Sequence, residues 1–258
     1  MPTNGLFVPR LQRLLDALGD QDESFDAAAT LLADTLAADN LVHLFGSGHS
    51  VIPVMDAFPR YGSYVGLHPL IDPRLAWWEV TGPGGAPELL WLERTEGYVE
   101  NFLAHRPIRA ADCMVVFSHG GRNAAPVEAA MYARDRGVRV LAVTSRANLD
   151  RPSSHSSGSR LADLADVVID TGVPPEDALV SLDGWDVPVA GASTVVACAC
   201  MAELNARTAA LLAERGIRLP TFVSPTAAGV APDHNQGVFD AHQDRIAHAA
   251  IRPAEVTL

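Results

Sequence analysis

The chain has 258 residues, 48% of them apolar, which is enough to fill the core of one large α/β domain. Lys and Arg total 19 against 31 Asp and Glu, and the formal net charge of -12 argues against nucleic acid or an anionic membrane surface as a partner. Cys113, Cys198 and Cys200 cannot all pair and lie in apolar runs, so they read as small buried residues of a cytoplasmic protein, and no export signal is expected.

In chain order, Leu6 to Leu18 predicts an amphipathic helix through Leu11, Leu14, Leu15 and Leu18, broken at Gly19. Ser24 predicts the cap of a second helix with Ala28, Leu31, Leu32, Thr35 and Leu36 on one face. Leu41 to Phe45 reads as a buried strand, followed by the glycine-rich turn Gly46-Ser47-Gly48-His49-Ser50 and a helix from Val51 to about Arg60, capped by Ser50. Tyr64 to Leu70 predicts the next strand. Ile71 to Pro87 is rich in Pro and Gly, and its Trp77-Trp78 pair reads as a packing anchor in a lid or contact loop. Glu88 to about Arg106 keeps helical period through Leu89, Leu92, Thr95, Tyr98, Val99 and Phe102, which predicts one long helix.

Cys113 to Phe117 is an apolar run of strand length. It runs into Ser118-His119-Gly120-Gly121-Arg122-Asn123, with Asn123 placed to cap the following helix, Pro126 in its first turn and Gly137 just past its end. Val138 to Val143 is a further apolar strand, so strand, loop, helix and strand make a βαβ unit with parallel strands. Ser153 to Gly158 is polar, Leu161 to Ala165 a helical turn, and Val167 to Ile169 a fifth strand. The long helix Ala192 to Arg215 is apolar nearly all round from Val195 to Ala202, which predicts a central buried helix; that run is too short to span a bilayer. Pro220 to Gly237 reads as irregular and Val238 to about Ala250 as a last helix.

The chemistry is expected in the loops. Backbone N–H groups at a helix N-terminus favour a phosphate or carboxylate, and glycines let the backbone come close to it. Ser118 and Asn123 offer side-chain donors and Arg122 a charge. The loop lacks the G-K-[S/T] of a Walker loop and the GxGxxG dinucleotide pattern, and no CxxC or HExxH spacing suggests a metal.

The pair of loops, G-x-G-x-S at Gly46 to Ser50 and S-x-x-G-x-N at Ser118 to Asn123, resembles the SIS (sugar isomerase) domain family, as do Arg151 to Asp166 and Asp233-His234-Asn235. The resemblance implies a single domain with a flavodoxin-like three-layer sandwich around a five-stranded parallel sheet. Helices at 1–38 precede the core at 39–216, and a loop and helix at 217–258 follow it. It further implies that the two loops face each other and hold the phosphate of a phosphosugar. Ser47, His49, Ser50, Ser118, His119, Gly120, Gly121, Arg122, Asn123, Ser145 and His155 would then form the binding site. No cofactor is implied. A homodimer or homotetramer with shared sites is, since a C-terminal histidine (here His234) often reaches a neighbouring subunit in this family.

Within the family the chain is similar to actinobacterial N-acetylglucosamine-6-phosphate dehydratases, which implies a sugar-phosphate lyase. Thr95-Glu96-Gly97 resembles the V-E-G stretch that carries a catalytic glutamate in N-acetylmuramic acid 6-phosphate etherases. Their other glutamate, in a D-A-S-E segment, has no counterpart in Met55-Asp56-Ala57-Phe58. The expectation is therefore Glu96 as base, His234 as acid and Glu203 in reserve. An aldose–ketose isomerase and a non-catalytic phosphosugar sensor are the alternatives, the latter disfavoured because the N-terminal helices lack basic charge.

Overall fold

The computed structural model describes residues 5–76, 79–82 and 84–251. Trp77 and Trp78 lie outside the described residues. Five short strands, β1 (Val42–Gly46), β2 (Leu67–Leu70), β3 (Cys113–Phe117), β4 (Arg139–Thr144) and β5 (Val167–Asp170), pair in the order β2-β1-β3-β4-β5, every pair parallel. That is the flavodoxin-like order, and its switch point falls between β1 and β3, where ligands bind at the carboxyl ends of the strands.

Alternate residues of each strand serve two cores. Val42, Leu44, Val115, Phe117, Leu141 and Val143 pack on one face, under α1 (Val8–Gly19), α2 (Asp22–Ala37), α3 (Val51–Ala57), α8 (Ser193–Glu214) and α9 (His234–Ile251). Phe45, Met114, Val116, Val140 and Ala142 pack on the other, under α4 (Gly85–Leu92), α5 (Tyr98–Leu103), α6 (Ala124–Arg134) and α7 (Leu161–Leu164). Because both faces are covered, Cys113–Phe117 reads in the sequence as an unbroken apolar run, while His43 and His68 interrupt β1 and β2. The three-layer α/β architecture is the one the sequence implies.

Several local expectations are corrected. The second helix starts at Asp22, so Ser24 is inside its first turn and the acidic Asp22 and Glu23 meet the positive end of the helix dipole. The long helix expected from Glu88 is two helices, because the buried Glu128 of α6 accepts hydrogen bonds from the N–H groups of Gly97 and Val99 and starts α5 afresh. β2 begins at Leu67; Tyr64 instead makes an antiparallel bridge with Thr221. The connection after Thr171 holds an antiparallel hairpin, β6 (Ala178–Val180) and β7 (Val189–Gly191).

α8 is long and apolar enough to cross a membrane by length and composition, yet it is not buried all round. Val196, Cys200, Met201, Leu204 and Leu212 face the core, while Val195 is exposed. α9 starts four residues earlier than the sequence suggests, at His234, and the amide of Asn235 exchanges two hydrogen bonds with the backbone of Val223. Farther along α9, the buried Arg245 donates to the carbonyl oxygens of Leu36 and Asn40. A cation thus meets the negative end of α2 and clasps the C-terminal helix to the N-terminal one.

Candidate functional site

Gly46 of β1 pairs with Phe117 of β3, so Ser47 and Ser118 leave neighbouring strands side by side. The first loop turns back so tightly that a Cβ on Gly46 would lie 2.1 Å from the carbonyl oxygen of Ser50. In the second loop Gly121 sits at a φ of +61°, and a Cβ there would come within 2.8 Å of Thr144 Oγ1. Glycine is required at both positions by contact with fixed backbone or a buried side chain.

Neither expected cap forms. Ser50 makes no side-chain cap to α3, and it is one of the residues lining a small cavity. Asn123 makes none to α6; its Nδ2 donates to Glu93 Oε1 at 2.9 Å. Ser118 Oγ accepts the N–H of Gly121 at 3.1 Å, which turns the loop and leaves the hydroxyl proton free.

The cavity, about 10 Å³, is lined by His49, Ser50, Ser118, His119, Thr171 and Ser193, among others. Both ring nitrogens of His119 and the hydroxyl of Thr171 are buried there without a hydrogen-bond partner. Buried polar groups are nearly always satisfied, and a cavity of this size gives these two side chains room for a water-sized polar partner. The cavity also meets the first turn of the 22-residue α8, whose first N–H groups, at Ala192 and Ser193, are already capped by the carboxylate of Asp177. Thr171, Ser193 and Thr194 were missed in the sequence because they follow the fifth strand and a hairpin with no glycine-rich loop to announce them.

A second group of side chains lies on the outer side of the loops. Glu93, at the end of α4, is only 9% exposed. Its Oε2 accepts from Ser47 Oγ at 3.2 Å and its Oε1 from Asn123, so one carboxylate joins the two loops. Burial raises its pKa above the usual glutamate value, against the pull of Arg94 and Ser47. Glu96 stands three residues on, exposed, with both carboxylate oxygens taken by the N–H and hydroxyl of Ser156 at 2.6 Å, and these bonds hold its pKa below the usual range. His155 Nε2 lies between Glu96 and Glu128, 3.8 and 3.9 Å from their carboxylates. The segment carrying Ser153 to Ser156 is pinned to the second loop through the carbonyl of Arg122, which brings Glu96, His155 and Arg122 together.

Other expected residues lie elsewhere. Ser145 is buried, and its hydroxyl donates to the carbonyl of Val173 beneath the loops. Glu203 is exposed on α8, in an ion-pair network with Arg207, Asp22 and Asp26, away from the cavity lining. His234 Nε2 donates to the carbonyl oxygen of Thr221, 2.9 Å away, and His234 is not among the residues lining the cavity in its own chain.

A parallel flavodoxin-like sheet with two glycine loops at its switch point is an architecture suited to a small anionic ligand. The comparisons make the class specific. Residues 7–145 match the family model of the SIS domain, and the chain belongs to that family. It is 38% identical over 246 residues to UPF0309 protein SCO4393 of Streptomyces coelicolor, covering 94% of this chain and 96% of the relative. UPF0309 protein lin2794 of Listeria innocua is 33% identical over 236 residues, 91% of this chain and 93% of that one. Among solved structures, the phosphoheptose isomerase GmhA of Neisseria gonorrhoeae shares the fold with a TM-score of 0.54 at 17% identity, covering 79% of this chain and 95% of its own. A phosphoheptose isomerase of Francisella tularensis does so at 0.51 and 12%, over 78% and 94%.

Proposed function

We propose that this chain is an enzyme acting on an aldose 6-phosphate, with the phosphate seated on the two loops over the mouth of the cavity and the C2 proton removed by Glu96. The observation that carries the reading is the pair of orphaned polar groups, His119 and Thr171, on a cavity rimmed by Ser50 and Ser118. A phosphate offers several acceptor oxygens to such donors. Arg122 and the half-buried His155 lie on the side of the loops where the sugar would extend, together with Glu96.

Removal of the C2 proton leaves its electron pair in an enediolate or enolate, which preorganised donors stabilise by roughly 3 kcal/mol each. Where C2 bears a hydroxyl, return of the proton to C1 gives the ketose. Where C2 bears an acetamido group, the C3–O bond breaks and water leaves once its oxygen is protonated. The resemblance to dehydratases favours this elimination, with His234 of a second copy of the chain as the acid.

The test is a thermal-shift screen of glucose 6-phosphate and N-acetylglucosamine 6-phosphate, followed by proton NMR of each mixture in heavy water. The expected result is stabilisation by sugar phosphates, with water lost from the acetamido sugar and deuterium at C2 of any recovered substrate. Conversion of glucose 6-phosphate to fructose 6-phosphate alone replaces the lyase with an isomerase. Stabilisation without turnover of any sugar phosphate leaves a sensor.

A further inference from the structure

The two loops look alike in sequence but present opposite hydrogen-bonding character. A serine hydroxyl has one proton and two lone pairs, and an ionised carboxylate only accepts. Ser47 gives its proton to Glu93 Oε2 at 3.2 Å, so toward anything else it can only accept. Ser118 has its oxygen engaged by the N–H of Gly121, and its proton remains available. The same carboxylate takes one N–H of Asn123 and lies 3.5 Å from Arg94; these contacts favour its charged form and burial opposes it, so the experiment below is set at a pH where the charged form prevails.

Position agrees with polarity. Ser50, Ser118 and His119 line the cavity, whereas Ser47 and Asn123 do not and stand instead on the side of Glu93. A phosphate at Ser47 would find no proton there and would face a buried negative charge.

We infer that Ser47, oriented by Glu93, is a specificity-determining acceptor that reads a hydrogen-bond donor on the sugar, a hydroxyl or an amide N–H, and takes no part in holding the phosphate. Glu93 is the positioning residue. This rests on the sugar-phosphate reading above and deepens it: the second loop binds the anion and the first selects what the anion is attached to. A site built to bond a substrate O–H or N–H rejects ligands lacking it far more strongly than an apolar site rejects a missing methylene.

The experiment is isothermal titration, at slightly alkaline pH so that Glu93 is charged, with three probes: inorganic phosphate, glucose 6-phosphate and N-acetylglucosamine 6-phosphate. Ser47→Ala should leave the dissociation constant for inorganic phosphate within about twofold while raising that for at least one sugar phosphate roughly tenfold. Glu93→Gln, whose amide can donate to Ser47 and turn its proton outward, should weaken the same sugar phosphate and leave inorganic phosphate unchanged or tighter. Loss of general loop structure would weaken all three probes together, and Ser118→Ala should do so as the control. Equal weakening of phosphate and sugar phosphate in Ser47→Ala, or no weakening of either sugar phosphate, overturns the proposal. A wild-type protein that binds none of the probes overturns the sugar-phosphate reading itself, and this inference with it.

Discussion

His43 of β1 and His68 of β2 stand opposite each other in register, their Nδ1 atoms 3.0 Å apart. His43 Nε2 donates to Asp112 Oδ2 at 3.0 Å, which leaves its Nδ1 to share a single hydrogen bond with His68 Nδ1. Burial, then His43, His242 and Arg106 nearby, push the His68 pKa down to about 3. A folded pKa below the unfolded one means that the unfolded chain binds more protons, so this stability is complete above about 6.5 and is lost as pH falls towards 3. At about 1.4 kcal/mol per unit the ceiling is near 5 kcal/mol, and partial exposure of the ring trims it to on the order of 3. Urea midpoints should therefore fall steadily through mildly acidic pH, and His68→Gln should flatten that slope. An unchanged slope in the variant would show that other groups set the acid limit.

Gly121 tests the second loop independently of any substrate. Alanine there must take up a left-handed φ of +61° and push a methyl to within 2.8 Å of Thr144 Oγ1, beneath the loop that carries Ser118 and His119. The expected cost is about 1–3 kcal/mol of stability, seen as a lower melting temperature. Binding of inorganic phosphate should weaken at least tenfold as the loop shifts. A variant that melts lower but binds phosphate normally would separate the loop's shape from its chemistry.

Much of this architecture was legible in the sequence because the strands are buried on both faces. Cys113 to Phe117 has no polar residue to blur its limits, and a glycine loop follows it directly. What escaped notice depends on distant partners. The break before Tyr98 is made by Gly97, at a left-handed φ of +82°, together with the distant Glu128 of the next helix after α5, and the apolar period of Glu88 to Arg106 runs straight through it. Glu93 looked like one more acid on a solvated helix face. Its bonds to Ser47 and Asn123, 46 and 30 residues away, set it apart. The hairpin of β6 and β7 has strands of three residues, below the length at which alternation can be read.

We propose that a second copy of the chain covers the surface beside the cavity. Ile52 and Met55 on α3 are 43% and 56% exposed, and Val195 on the adjoining α8 is 46% exposed. Both helices begin at the cavity, so an apolar patch borders the site. Light scattering at micromolar protein should give at least twice 27.4 kDa, and Met55→Glu should shift the mass towards one chain. A single-chain mass for the wild type would remove the route by which His234 reaches a site.

Glu96 is the assignment that exposes the proposed chemistry most directly. Its carboxylate is exposed, fixed by two bonds to Ser156 and near His155, beside the loop that carries Arg122. Glu96→Gln keeps the shape and removes the basicity, so inorganic phosphate should bind as before while turnover falls roughly 10²–10⁴-fold. The bonds from Ser156 hold the Glu96 pKa below the usual glutamate value, so the acid limb of kcat/KM should fall below that value as well. Ser156→Ala removes the hydroxyl bond and should move that limb upward, a shift that a residue serving only to shape the site would not produce. Turnover at the wild-type rate in Glu96→Gln would make Glu96 a surface latch for the Ser156 segment. The base would then have to be sought at Glu93, the other carboxylate at the loops and one whose pKa burial raises.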